Sequence, residues 1–417
     1  MMGTAAAETT ARVFATTQPI FDRLANVYGY DMNFRFGLEA ELAAAAGLGC
    51  DLTRIDFWRA LGFDVILGLG RGCVTFSRDL LLQGMPIMFP ADALVVGVRG
   101  VLRGDRELID ACRQLKDFGY ELGYELDLVE FTVDQMSSPF LDLADIVRVS
   151  TAGMTRKKQA AVCADLTQRD VRPLASDVAT PEQYEEAHEA GFWYFQGEFF
   201  REPALAPGRE LPLLKAHHLA LLREVNKPQI AYDELADLVK TDVVMTYRLL
   251  RFMNSAWYGL RQTVNSVRHA LVLLGPQEIK LWVSLLVVRG LGEDKPRELF
   301  RQCLIRAKTA EAIAPLVGMG SQASELFLMG MFSLVEALSN VPLARVLEAL
   351  PLNHDIIAAL QAQRGPFALV YALIRQYEWG HWKRMSECAA ALNLNENVLP
   401  ALFGTAAQWA DNALSSM

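Results

Sequence analysis

Arg201-Glu-Pro-Ala-Leu-Ala-Pro-Gly-Arg209 divides the chain into two halves with different grammar. Its prolines and glycine interrupt regular structure, so it reads as a connection between domains. Upstream, short apolar runs alternate with helical stretches. Val13–Phe21, Val27–Phe34, Cys73–Phe76, Leu94–Val98, Tyr124–Phe131, Ile146–Val149, Pro173–Val178 and Trp193–Phe195 predict strands. Ile55–Leu67, Arg106–Phe118, Lys157–Thr167 and Pro181–Ala190 predict helices between them. The later units repeat every ~20–30 residues, as βα crossovers do. Eight strands in about 200 residues predict a (β/α)8-like barrel. An open doubly wound sheet is the alternative, but no Gly-rich phosphate turn follows the first strand.

Downstream the strand signal fades. Leu235, Leu238 and Val239, then Val243, Val244, Tyr247 and Leu250, recur at helical spacing. Thr241 and Asp242 can cap the helix that follows them, and Pro276 falls in the first turn of another, after Gly275. No fixed-period repeat argues for a solenoid. The expected class is α/β plus all-α: a barrel domain over 11–203, a linker over 204–210 and an all-helical domain over 211–417.

Composition narrows the function. The chain has 417 residues, 52% hydrophobic and 21% charged, which describes a globular protein. Forty Lys and Arg against 49 Asp and Glu give a net charge of −9, which argues against a nucleic-acid polymer as partner. The most apolar stretch, Ile279–Leu291, is interrupted by Lys280 and by Arg289-Gly290, so no membrane span is expected. The N-terminus lacks the layout of a signal peptide. Six cysteines without a CxxC pair suit a reducing, cytoplasmic setting and no zinc site.

In such a barrel the chemistry sits at the carboxyl ends of the strands. The carboxylates there are Asp31, Glu130 and Asp177. Gly97 offers no ligand, and Arg148 adds positive charge beside any cation, so no metal and no cofactor are expected.

Gln18-Pro-Ile-Phe-Asp22, Val27-Tyr-Gly-Tyr-Asp31 and Phe34-Arg35 resemble the opening of EAL domains, the cyclic di-GMP phosphodiesterases. Gly191-Phe-Trp-Tyr-Phe-Gln-Gly197 followed by Pro203 resembles their last strand. The second half is similar to HDOD domains, relatives of HD phosphohydrolases that lack the hydrolase ligands. That likeness is carried by Leu211-Pro-Leu-Leu214, Ile230 to Asp242, Leu249 to Ala256, and Val267-Arg-His-Ala270 running on to Gly275. Together the two resemblances span nearly the whole chain, in the order of EAL–HDOD signalling proteins.

Set against that resemblance, the Glu-Ala-Leu signature reads Asp31-Met32-Asn33. The family's further ligand and catalytic positions fall at Thr75, Gly97, Val129-Glu130, Arg148, Ser150, Ser176 and Ala179. Only Arg35 and Gln196 match functional positions. The HD ligand positions fall at Arg306 and at Met329-Gly330 to Ser333-Leu334. The resemblance therefore implies no enzyme but an adaptor acting through protein–protein contacts, with signalling proteins as partners. A cyclic di-GMP receptor that binds without hydrolysis is the alternative. Its pocket would be Arg35, Gln196, Asp31 and Glu130. EAL relatives often pair through the barrel, so the resemblance also implies a homodimer.

Other features have structural readings. His354-Asp355 follows Asn353 and reads as a helix start, not a metal pair. His217 and His218 point ~100° apart on a helix and cannot easily share an ion. Arg99, Arg103 and Arg148 are expected to pair with acids such as Asp105 or Asp145. Trp193 and Tyr194 could stack a purine but more readily fill a core or interface. Asn254 and Ser255 read as helix caps, and Phe327, Met329, Met331 and Phe332 as core.

Overall fold

The computed structural model describes residues 14–35, 71–99, 105–126, 140–204, 216–227, 229–254, 264, 266–292 and 295–415. The chain divides into two compact units, Met1–Phe200 with Glu378–Gly380, and Arg201–Tyr377 with His381–Met417.

The first unit is a closed barrel of eight strands in sequence order. They are β1 (Ala15–Asp22), β2 (Val27–Phe34), β3 (Arg71–Phe76), β4 (Leu94–Arg99), β5 (Glu121–Leu126), β6 (Ile146–Ser150), β7 (Arg172–Ser176) and β8 (Tyr194–Gln196). All eight expected strands are present. β2 to β8 run parallel, whereas β1 is antiparallel to both β2 and β8. The reversal follows from the turn after β1. Asp22 accepts hydrogen bonds from the amides of Leu24 and Asn26, so the chain returns within four residues. A connection that short can only join antiparallel neighbours.

Helices α1 (Arg78–Leu82), α2 (Arg106–Asp117), α3 (Arg156–Gln168) and α4 (Pro181–Ala190) follow their strands. Asp105, Thr155 and Thr180 cap the last three by accepting an amide of the first turn. The inner core joins Ile20, Cys73, Val95, Ile146, Leu174 and Tyr194 from six strands. The expected helix Ile55–Leu67 and linker residues 205–210 lie outside the described residues.

The second unit is helical: α5 (Ala216–Val225), α6 (Tyr232–Lys240), α7 (Val243–Met253), α8 (Val267–Leu291), α9 (Arg297–Ile313), α10 (Ala323–Phe332), α11 (Val335–Ser339), α12 (Leu343–Ala349), α13 (His354–Ala362), α14 (Ala368–Glu378), α15 (Trp382–Ala391) and α16 (Leu399–Ser415). α8 is long and apolar enough, by length and composition, to cross a membrane. It is bent at Gly275, just before Pro276, and most of its apolar side chains are buried within this unit. Asn353 caps α13 through the amide of Ile356, and His354 beside it is exposed. Asn254 exchanges hydrogen bonds with the backbone of Val264 and so ties α7 to the approach of α8. Met329, Met331 and Phe332 are fully buried. The side chains of His217 and His218 lie outside the described residues.

Candidate binding site at the barrel mouth

Three strands bring their polar residues together at the carboxyl end of the parallel sheet. Asp31 of β2, Arg148 of β6 and Gln196 of β8 are distant in sequence and meet only because the barrel closes. Arg148 Nη1 donates to Asp31 Oδ2 at 3.0 Å, and Nη2 lies 3.0 Å from Oδ1. This fork-to-carboxylate pairing is the strongest form of the contact. Gln196 Nε2 donates to Asp31 Oδ2 at 3.0 Å and to Gln18 Oε1 of β1 at 2.6 Å. Asp31 is 7% exposed and Gln196 4%.

Burial pulls the Arg148 pKa down, but the charge and hydrogen bond of Asp31 outweigh it and raise the value above the ordinary one. The guanidinium is thus a fixed cation. Burial pushes the neighbouring Cys73 thiol up to about 12, with the charge of Asp31 adding to the effect. One polar atom in this cluster is left over. The Oε1 of Gln196 is buried and has no hydrogen-bond partner. A buried acceptor without a donor costs stability, which singles it out as a point of recognition.

The backbone beneath Gln196 is tightly constrained. Val178 donates its amide to Gln196 O at 3.1 Å, and Phe199 donates to Val178 O at 3.1 Å. Gly197 passes directly over Val178, where a Cβ would strike the Val178 carbonyl. Only glycine allows that approach.

The expected site residues are distributed unevenly. Asp31 and Gln196 are in contact. Arg35 follows β2, and its guanidinium stacks over the Phe14 ring at 4.9 Å. Glu130 lies outside the described residues. β5 spans Glu121–Leu126, and the rest of the expected Tyr124–Phe131 strand lies outside the described residues. Toward the carboxyl side of the described strand, Glu125 accepts from Arg99 Nε at 2.6 Å. Asp177 is exposed after β7, with φ 59°. The arginine pairings are corrected. Arg148 takes Asp31 and Arg99 takes Glu125, while Asp105 binds Arg78 and Asp145 binds Lys116. Arg103 lies outside the described residues. Arg148 and Glu125 carried a visible signal, since each is a charge set within or at the end of an apolar run. Tyr194 is buried at the opposite end of the barrel, its ring 4.3 Å from that of Tyr28, and Trp193 is half exposed.

In the helical unit the two positions aligned with HD ligands meet. Arg306 Nη1 donates to Ser333 Oγ at 3.1 Å, and Ser333 Oγ donates to Gly330 O at 2.7 Å. α9 and α10 touch there so closely that a Cβ on Gly330 would lie 2.5 Å from the Ala307 backbone.

Residues 211–349 match the model of the HDOD domain. The second half carries an HDOD domain. With the closed eight-stranded barrel ahead of it, the expected order of a barrel domain followed by a helical HDOD domain holds. An uncharacterized protein of Bacillus subtilis, YuxH, is 28% identical over 391 residues, covering 92% of this chain and 95% of its own. A Vibrio cholerae protein named cyclic di-GMP phosphodiesterase CdgJ is 28% identical over 384 residues, 91% of this chain and 88% of its own. The B. subtilis YkuI protein, solved with cyclic di-GMP and calcium, is 13% identical with a TM-score of 0.36, over 64% of this chain and 74% of its own. The Xanthomonas citri FimX EAL domain with cyclic di-GMP is 15% identical with a TM-score of 0.34, over 45% of this chain and 86% of its own. At those TM-scores the two structures carry no inference for this chain.

The Vibrio relative overturns one expectation. Similarity along 91% of the chain to a protein named a phosphodiesterase contradicts the reading of this chain as no enzyme. That reading counted ligands position by position along strand ends. It did not weigh Glu125 of β5, which accepts from Arg99.

Proposed function

We propose that this chain is a cyclic di-GMP signalling protein. Its barrel mouth takes the dinucleotide, and the HDOD-bearing half passes the occupied state on through contacts with other proteins. The observation that carries the reading is the buried, unpartnered Oε1 of Gln196 beside the Asp31–Arg148 pair. Guanine presents N–H donors on its base-pairing edge, and its phosphates are anions. An open acceptor beside a fixed guanidinium suits both groups. The name of the Vibrio relative supports the same ligand class.

Calorimetric titration of the full chain with cyclic di-GMP, Mg2+ present, tests it. We expect saturable heat in the parent, weakened about tenfold or more in Gln196→Leu, the loss of one hydrogen bond to a buried acceptor. Absence of heat in the parent, or equal binding by the variant, overturns the assignment. Chromatography of the same samples for linear dinucleotide reads turnover.

A further inference from the structure

The helical unit holds a cavity of about 360 Å³. It is bounded by the end of α8, the start of α9, and residues of α10 and α16. Its wall is hydrocarbon, from Leu285, Val288, Phe300, Leu304 and Met331. Its remaining side chains include three cations, Arg289, Lys295 and Arg297. Arg289 and Arg297 are exposed and Lys295 is half-buried, whereas Leu285, Val288, Leu304 and Met331 are buried. The charges therefore ring the opening of an apolar chamber.

Lys295 is anchored, its Nζ donating to Asn340 Oδ1 at 2.7 Å. The guanidinium groups of Arg289 and Arg297 have no ion pair or hydrogen bond among the described residues. No carboxylate lines the cavity among the described residues. Glu293 and Asp294, next in sequence, lie outside them.

Wall and rim together select the ligand. A nucleobase would press its edge donors and acceptors against Leu, Val and Met, which cannot pair them, and that is costly. An uncharged hydrocarbon would leave the Arg289 and Arg297 guanidinium groups unused. The volume falls at the small end of the ~300–1,000 Å³ range of small-molecule sites, enough for one short chain. We propose that this cavity binds an aliphatic carboxylate, with the hydrocarbon among Leu285, Val288, Phe300, Leu304 and Met331 and the carboxylate on Arg289, Lys295 and Arg297. The site lies wholly in the helical unit and does not depend on nucleotide binding by the barrel.

Full-length protein, stripped of bound lipid, is titrated calorimetrically with sodium octanoate and with 1-octanol. Octanoate should bind one site about tenfold or more tighter than octanol, the difference that charge-assisted hydrogen bonds supply. The Arg289→Gln/Arg297→Gln variant, changed at two exposed positions, should bind octanoate no better than octanol. Leu414→Trp, which fills the cavity from α16, should abolish binding of both, with circular dichroism reporting its fold. Should Leu414→Trp fail to fold, the arginine variant still decides. Equal affinity for octanoate and octanol, or parental binding by the arginine variant, overturns the proposal. Displacement of octanoate by GMP overturns the ligand class.

Discussion

At one end of the barrel Asp31 holds Arg148 and Gln196. At the other, Glu121 holds Tyr28, Arg71 and Arg172. Both clusters pair carboxylate with guanidinium, but they are finished differently. Glu121 receives the Tyr28 hydroxyl at 2.5 Å, Arg71 Nη1 at 2.5 Å and Arg172 Nη2 at 3.4 Å. Arg172 also donates to the Tyr194 hydroxyl at 3.0 Å, and the Tyr28 and Tyr194 rings pack together at a tilt. These five residues stand first or second in their strands, so they close the amino end of the sheet like a plug. At the carboxyl end, by contrast, Gln196 keeps an unused acceptor. A network with every group engaged stiffens a fold, while one with a group left over keeps a place for something else. The difference separates a structural end from a candidate binding end, as the barrel architecture leads one to expect.

The sharpest test of the mouth is Gly197→Ala. Its Cβ would collide with backbone atoms of Val178, which cannot swing aside. We expect about 4 kcal/mol of lost stability in urea unfolding, large for one methyl group. A loss below about 0.5 kcal/mol, the scale of an ordinary surface change, would show that the mouth is soft and the contrast overstated.

Next in size is Arg148→Met, which strands Asp31 among buried neighbours. About 3 kcal/mol should be lost, and adding Asp31→Asn should restore most of it, since the cost lies in the unpaired charge and not in the missing attraction. If the double variant is as unstable as the single one, the ion pair is itself the stabilising element. The two ends would then be alike.

Much of the barrel was legible because its strands are short, strongly apolar runs such as Leu94-Val-Val and Ile146-Val, and its helices open on Asp105, Thr155 and Thr180. The direction of β1 was also readable, since the four residues after Asp22 leave no room for a crossover helix, but repeating βα units hid it. The site was legible only in pieces. Gln196 ends β8 and Asp31 lies in the carboxyl half of β2, toward the end where chemistry is sought. Their link to Arg148 spans 117 residues between Asp31 and Arg148 and exists only once the barrel closes. Glu125 was missed because the reading centred on Val129-Glu130, further along the expected strand and outside the described residues.

The smallest expected effect lies at the plugged end. Burial works to raise the Glu121 pKa, but hydrogen bonds from Tyr28 and Arg71 and the charges of Arg172 and Arg71 outweigh it, so the carboxyl sits below its ordinary 4.5. A carboxylate lowered on folding adds stability above the unfolded-state pKa and loses it as pH falls through the folded value. Glu121 therefore supports the barrel at neutral pH, and that support is lost as pH falls from about 4.5 through the lower folded value. Glu121→Gln keeps the shape and a hydrogen bond for Tyr28 while removing the charge between two arginines. It should cost about 1 kcal/mol at pH 7, a modest figure because the site is partly open to solvent. Urea midpoints of parent and variant should converge as pH falls from 5 to about 3. Cyclic di-GMP binding at the far mouth should be unchanged at pH 7. Midpoints that stay parallel would mean that the plug is held by the packed tyrosines alone. Loss of nucleotide binding would mean that the two ends act as one device.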